Sequence, residues 1–582
     1  MIFLRNIMKR TKLLASIIGV ILFSISLSSC ATNKAQNCTL YGSTYQNASG
    51  EVVARFNKGQ RKTNNTIEIY GSKAEKNKNG LVSIDNRGIV FNKTNTGYIN
   101  EITIEISDES FESAKFFYGS NPFPIGNGQA LTLGHNIINL KNENSGFFVI
   151  QNQGAQFSID FISISYTKEE IANRTETLPE IHINTENRKN VTSVVDYVNC
   201  QIVTDEYKDG LSSQIKVRGN STSNLNKKPY RIKLDKKTSL FGYTKSKNYI
   251  LLADYMDASK MHNYSAMKFS RLIRETEEFA PNPIHVNVYL NSAYRGLYLL
   301  CEHIDEKSEH MNLAQDKIWN LNFNDINFYL DRDASSSSEE GAKEGETYLE
   351  IKLENYPLSS YLFELKYPEK DDFIEEKDDD SQVFHENEWN SYVRNLRSYL
   401  TTVCQAFVSY YESPSNFSEI DTLVDVNSLA KFGVVDQTLC EADHIYKSFK
   451  VFKRGEKLEF GPCWDYDSCS FGFPYTQDYI EDPFDHDASQ IDYIFEIWTQ
   501  TLYNDEVNGK PLYKEIWDNL SEDKLKGYLN DLYQEIAYIS YDLLPDCEKW
   551  VSNKYSVVFD NISFVTHYFT NKINYLKNTV YK

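Results

Sequence analysis

Positive charge is in short supply in this chain: 61 Lys and Arg stand against 81 Asp and Glu, a formal net charge of -20 over 582 residues. That deficit excludes broad, sequence-independent binding to nucleic acid, which needs clustered cations to neutralise phosphates. The nine cysteines include no CxxC pair and no zinc-ligand spacing, so no metal ribbon or thioredoxin-type redox motif is expected. No internal repeat is present, which sets solenoids and propellers aside. The apolar run near the N-terminus, Leu13 to Phe23, is short for a bilayer span.

What is abundant is material for a core. Hydrophobic residues make up 41% and aromatics 14%, with 40 Tyr and 33 Phe, so the chain folds as globular domains and is too long for one compact core. Its N-terminus reads as an export signal: Arg5, Lys9, Arg10 and Lys12 precede the apolar run, which ends in Leu27-Ser28-Ser29-Cys30. This last tetrapeptide resembles the processing site of bacterial lipoproteins. The expectation is therefore a signal peptide over 1–29, a mature chain beginning at an acylated Cys30, a polar spacer over 30–37, and everything downstream outside the cytoplasm, tethered to the membrane or cell surface.

From Cys38 to Thr167 short apolar-polar alternations follow one another, among them Ile102 to Ile106 and Phe157 to Tyr166, punctuated by Gly, Asn and Asp. The pattern predicts a small all-β sandwich, jelly-roll-like, with its aromatics serving a packed core or, alternatively, a glycan. Polar residues 168–177 read as a linker. Strands are then expected near Ile181–Ile183, Gln214–Val217, Tyr230–Leu234, Tyr249–Leu252 and Val286–Leu290, with a helix over 260–275. Residues 333–346 and 369–380, rich in Ser and acidic side chains, read as surface loops. After Phe384 the periodicity turns helical, interrupted by paired strands near 447–453 and 457–460.

That hairpin, turning at Arg454-Gly455, carries the chemistry. It brings Asp443, ahead of its first strand, close to Asp465 and Asp467, beyond its second. Phosphoryl transfer needs one carboxylate to orient a hydroxyl and accept its proton, and another to hold the divalent metal on the phosphates. Asp443 and Ser448 are five apart, the spacing between the Asp and the metal-binding Asn of a kinase catalytic loop, and Asp465 stands where kinases keep a metal Asp. Isolated Asp residues are more often caps or surface groups; here three are gathered by one hairpin.

Four motifs in order resemble the CotH (spore coat protein H) kinase family, from about Leu178 to the C-terminus. They are Val217-Arg218-Gly219-Asn220-Ser221-Thr222 with Lys227-Lys228-Pro229-Tyr230-Arg231-Ile232-Lys233-Leu234; Tyr249 to Asp257; Tyr294 to Ile304; and Gly461-Pro462-Cys463-Trp464-Asp465-Tyr466-Asp467 with Phe471-Gly472. Three positions depart from the family pattern: His262-Asn263 replaces Arg-Asn, Glu441 stands where Asn is common, and Ser448 takes the place of an Asn or Ser ligand. The resemblance implies an α+β fold, an atypical two-lobed kinase-like domain over 178–582, with a strand-rich N-lobe to about 310 and a helical C-lobe from about 347. It implies ATP as donor with Mg2+ or Mn2+. Arg218, Asn220 and Ser221 then face phosphate; Lys228, Arg231 and Lys233 remain alternative phosphate ligands; Glu302 stands near the adenine edge or in a salt bridge; Asp443 is catalytic; Asp465, Asp467 and Ser448 hold metal.

The expected function is an exported kinase passing the ATP γ-phosphate to Ser or Thr hydroxyls of secreted or surface proteins. The alternative is a kinase-like surface or adhesion protein of weak or no activity, its sandwich meeting glycans. The N-terminal reading is checked directly: Cys30→Ala should leave an unprocessed precursor that takes up no labelled palmitate, and undiminished labelling overturns it.

Overall fold

The computed structural model describes residues 38–40, 43–46, 52–55, 69–76, 81–93, 98–126, 128–141, 143, 145–167, 177–219, 221–274, 279–304, 311–332, 346–353, 356–377, 381–439, 448–467, 494–551 and 554–582. Cys30, Asn220 and Asp443 lie outside them.

Twelve described strands precede residue 168: β1 (Cys38–Leu40), β2 (Ser43–Gln46), β3 (Val52–Arg55), β4 (Ile69–Lys76), β5 (Val82–Asn92), β6 (Tyr98–Ile106), β7 (Ala114–Gly119), β8 (Gln129–Ala130), β9 (Gly134–Asn139), β10 (Phe147–Asn152), β11 (Phe157–Ile159) and β12 (Phe161–Thr167). One sheet runs β1-β4-β5-β10-β7-β8 with β11 on β5, the other β2-β3-β12-β6-β9. Strand alternation decides which side chains meet between the sheets. On β6, Ile102, Ile104 and Ile106 are buried in a core that also holds Val90, Phe116, Phe148 and Ile164. The end of β5 and all of β10 are buried on both faces, which a two-sheet sandwich in water does not require.

The second unit is a closed barrel: β13 (Glu180–Thr185), β14 (Val198–Val203), β15 (Leu211–Val217), β16 (Tyr230–Thr238), β17 (Ser246–Leu252), β18 (Ile284–Leu290) and β19 (Ala293–Glu302), in the order β13-β14-β15-β16-β17-β19-β18. The parallel pairing of β13 with β18 closes it. Ile215, Val217, Tyr230, Ile232, Tyr249, Val286 and Leu300 fill its interior. Helix α1 (His262–Ile273) connects β17 to β18. On the other face of the wall, Ile250, Leu252, Leu297, Leu299 and Cys301 join the main core with the helices.

The remainder combines a sheet, β20 (Phe328–Arg332), β21 (Thr347–Leu353) and β22 (Tyr356–Tyr367), a small hairpin, β23 (Ile374–Glu376) and β24 (Gln382–Phe384), and β25 (Phe449–Lys453) with β26 (Leu458–Phe460), the larger sheet running β21-β22-β20-β25-β26. Around it lie α2 (Glu386–Glu412), α3 (Phe417–Leu423), α4 (Val426–Leu439), α5 (Ile494–Asn504), α6 (Gly509–Asn519), α7 (Glu522–Trp550) and α8 (Tyr555–Tyr575). In α2, Trp389, Tyr392, Leu396, Leu400, Val403, Phe407 and Tyr410 recur every three or four residues and form its buried stripe. Among the described residues no helix is long and apolar enough to cross a membrane.

The architecture is α+β with an all-β region in front, as expected. Differences are local. Strands β14, β20, β21, β22 and β24 stand where the sequence reading places none, so the region from 347, expected to be helical, opens with two strands. Residues 369–380, read as a solvated loop, include a short turn of helix and β23, because Phe373 is buried against Trp389 and Tyr392.

The double burial of β5 and β10 has a cause: the outer face of that sheet lies on α7 and α8. Ile89, Phe91, Phe117, Phe123 and Val149 belong to the main core rather than to the sandwich's own. Phe91 meets Tyr555 at 5.1 Å between ring centroids and Phe117 meets Phe559 at 5.1 Å, while Lys93 pairs with Glu548 at 2.6 Å. Aromatic pairs of this kind are worth about 0.5–1.5 kcal/mol beyond the area they bury. Phe91→Ala and Tyr555→Ala should therefore each destabilise the chain in denaturant unfolding, and the double variant should fall short of their sum by about that amount. Strict additivity would mean that the two rings do not meet.

Candidate active site

One small cleft gathers residues from the barrel, α1 and the segment after β26. Arg218, Thr222, Leu225, Lys227, Pro229, Leu252, Ala253, Asp254, Tyr255, Asn263, Asp465 and Asp467 line it. Its upper wall is the loop from β15 to β16, closed by the hydrogen bond from Arg218 N to Pro229 O at 3.1 Å. Gly219 is required there: its φ is +86°, and a Cβ would lie 2.2 Å from Thr222 Oγ1. The loop directs Arg218 over the indole of Trp464, 5.5 Å from the ring centroid. The guanidinium thus sits beside the segment that carries the two acids.

The floor is a buried polar lattice. Asp257 accepts from Ser259 N at 2.7 Å and from His262 N at 2.9 Å, satisfying a free N–H at the first turn of α1. Burial pushes its carboxyl upward, but the His262 and Lys260 charges and these hydrogen bonds outweigh it and hold Asp257 below the usual range. Asp254 goes the other way. Burial first, then the neighbouring Asp257, raise it, against the pull of Asn263, Lys260 and Lys227. Asn263 joins the floor to the far wall, donating to Asp254 Oδ1 at 2.8 Å and accepting from Tyr466 N at 2.7 Å. It therefore fixes the loop in which Asp465 and Asp467 flank Tyr466.

The hairpin β25–β26 delivers those acids. Ser448 stands immediately before β25 and donates to Asp465 Oδ2 at 3.2 Å, so the two ends of the hairpin meet. Both residues have positive φ, 59° and 65°. Gly461 begins the second end because a Cβ there would lie 2.2 Å from the Arg274 guanidinium, which donates to Phe460 O at 2.9 Å. Asp465 and Asp467 are both half-buried on the cleft. Two carboxylates and a hydroxyl are hard oxygen donors of the kind Mg2+ and Mn2+ take, and an Mg2+ site commonly leaves its other positions to water and phosphate. The residues present fit such an ion. Among the described residues no group of three or more His, Cys, Asp and Glu forms a complete protein cage for one.

Lys227, on the wall of the cleft, is fully buried. It pairs with Asp546 Oδ1 of α7 at 2.9 Å and donates to Leu297 O. Lys260 approaches the other carboxylate oxygen at 3.7 Å and donates to the backbone oxygens of Asp254 and Asp257, each at 2.7 Å. Gly296 makes room, since a Cβ there would lie 2.3 Å from Asp546 Oδ1. Burial pushes the Lys227 ammonium down to about 8 despite the opposing pull of Asp546.

The structure thus brings Arg218, Ser448, Asp465 and Asp467 together. Ser221 is exposed in the same loop. Lys228 is turned to Ser223 O at 2.6 Å, and Arg231 reaches Asn248 Oδ1 at 3.4 Å; neither they nor Lys233 lines the cleft. Glu302 is buried at the end of β19, where it accepts from Asn282 N at 3.4 Å. Sequence reasoning gave no role to Lys227, Asp254, Asn263 or Trp464, though each lies within or beside a motif it singled out. Cys463 is a buried free thiol whose burial raises its pKa.

An arginine loop, a carboxylate pair on a hairpin and a polar floor between them share one cleft, and the class they belong to is a kinase-like family. The family model described as CotH kinase protein matches residues 215–580, more than half of the chain, and the chain belongs to that family. The match spans the arginine loop, the floor, the hairpin and α7. A search of curated proteins gives no match.

The ion pair behind the cleft has a testable pH signature. Lys227 releases its proton near 8 in the folded chain; an unfolded lysine holds it to about 10.4. Between these values the unfolded chain binds more protons, so this group makes stability rise with pH across that window. Asp546→Asn removes the counter-charge and lowers the folded value further, extending the window toward neutral pH. The variant should be destabilised by about 3–5 kcal/mol at pH 7, and the deficit should shrink by pH 9. Equal deficits at both pH values, read from denaturant unfolding, would contradict the pairing.

Proposed function

We propose that the chain is an atypical two-lobed protein kinase, the barrel and α1 forming one lobe and the sheet β20–β26 with helices α2 to α8 the other. It transfers the ATP γ-phosphate to Ser or Thr hydroxyls of exported or surface proteins. The observation that carries this reading is the shared cleft, where the arginine loop of one lobe faces the hairpin acids of the other. Arg218 is the cation for the phosphates and Asp465, with Ser448 and Asp467, holds the divalent ion. A bound Mg2+ or Mn2+ would neutralise phosphate charge and fix the leaving group. Asn263 keeps the Asp465 loop from drifting, and Trp464 fixes the Arg218 guanidinium from below. Asp443, which precedes the hairpin in sequence, is assigned to orient the acceptor hydroxyl and take its proton. Tethering through Cys30 would place this chemistry outside the cytoplasm, supported by the basic, apolar and Leu27-Ser28-Ser29-Cys30 order of the N-terminus.

Metal and hydroxyl roles separate by experiment. Asp465→Ala should abolish metal-dependent ATP binding together with turnover. Asp443→Ala should lower turnover by about 10²-fold or more while leaving ATP affinity within a few fold, because its carboxylate acts on the acceptor. The measurements are calorimetric nucleotide binding at fixed Mg2+ or Mn2+ and phosphate transfer, with fold checked by circular dichroism. Wild-type transfer by both folded variants would overturn the roles given to Asp465 and Asp443, whereas no transfer by the unmutated chain would leave a kinase-like binding protein as the reading.

A further inference from the structure

In a chain carrying a net charge of -20, one stretch of the barrel surface gathers cations that no carboxylate pairs among the described residues. Strands β15 and β16 are adjacent, with Lys216 opposite Arg231 and Gln214 opposite Lys233. Their neighbours Ile215, Val217, Tyr230, Ile232 and Leu234 point into the barrel, so alternation puts Lys216, Arg231 and Lys233 together on its outside. Lys216 and Lys233 share the ring of Tyr197, at 5.0 and 5.9 Å from its centroid. Like charges directly opposite across a ladder are unfavourable, and burial with the charges of Arg231 and Lys233 already depresses the Lys216 ammonium. Arg231 Nε is enclosed without a partner among the described residues.

Two further features give the patch a direction and a rim. Lys216 is two residues before Arg218, and Arg231 two after Pro229, both of which line the cleft. The loop before β14 is held beside β15 by Val217 N donating to Ser193 O at 3.0 Å, and presents Val194 and Val195 to solvent at 45% and 74% exposure. Triphosphate would satisfy the cations and leave the valines idle. A peptide with acidic and apolar side chains uses both, and an extended chain advancing about 3.3 Å per residue joins patch and cleft within a few residues.

We propose that the outer face of β15 and β16, rimmed by Tyr197, Val194 and Val195, docks an acidic, partly apolar segment of the protein substrate close to its acceptor hydroxyl. The word substrate rests on the kinase reading above; the docking is measured without phosphate transfer. Charge complementarity of this sort sets partner choice and association rate, and is weakened by salt.

The experiment uses the full chain and a fluorescent peptide of alternating Glu and Leu with Ala at the acceptor position, beside the same peptide with every Glu replaced by Gln. Anisotropy titration should show the Glu peptide binding at least tenfold tighter, less so at high salt. Lys216→Gln with Lys233→Gln should erase that preference, and Lys216→Arg with Lys233→Arg should keep it, which separates charge from fold. Equal binding of the two peptides, or a Gln variant that keeps the preference, overturns the proposal. So does a Gln variant that loses calorimetric ATP affinity and not peptide affinity, which would assign these cations to the nucleotide. An enzyme inactive in transfer leaves every one of these readings intact.

Discussion

Two ammonium groups sharing one carboxylate, all three nearly shut off from water, set the geometry on which the cleft depends. Lys227, Lys260 and Asp546 expose 0%, 2% and 1% of their side chains. Such a cluster contributes little net stability, since desolvation offsets most of the attraction, yet it is strongly unfavourable once a member is missing. It therefore acts by specificity. Lys227 anchors the arginine loop, Lys260 holds the backbone at Asp254 and Asp257, and Asp546 ties both to α7. Displacing α7 would strand two buried cations.

Much of the site was legible because its residues are local in sequence. The arginine loop, the hairpin acids and the segment leading into α1 each sit within a short motif, and strand alternation puts Arg231 and Lys233 on one face of β16. Lys227 and Lys228 could not be told apart that way, because they precede Pro229 and lie outside the strand, where alternation says nothing. Asp546 was illegible for another reason: it occurs in an amphipathic helix among many acidic residues, and only folding shows that Gly296 opens a gap to receive it. The Asn263 bridge was hidden similarly, its two partners lying 9 and 203 positions away.

The β-sandwich strands were readable from their alternation, but not the fate of their outer face. On β5 the aromatic and aliphatic residues that face outward, Ile89 and Phe91, are indistinguishable in sequence from the inward Val90. Their partners on α8 lie more than 400 residues away. One of these closing helices is touched from both sides: α7 bonds the sandwich through Tyr541 to Ser120 and Glu548 to Lys93, and the barrel through Asp542 to Asn287 and Trp550 to Arg295. Helix α7 is thus wedged between the first two units, with α8 packed on the sandwich.

That wedge dictates an order of assembly. A chain emerges N-terminus first, and its early units ordinarily fold as they appear. Here the seven-stranded barrel, complete in sequence by Glu302, still lacks the counter-ion for Lys227 until residue 546 has followed. The outer sheet of the sandwich likewise stays bare until Tyr555 and Phe559 arrive. Both early units must wait, half-finished, for α7 and α8, so a nascent chain stalled short of these helices holds an open barrel wall and a sticky sheet.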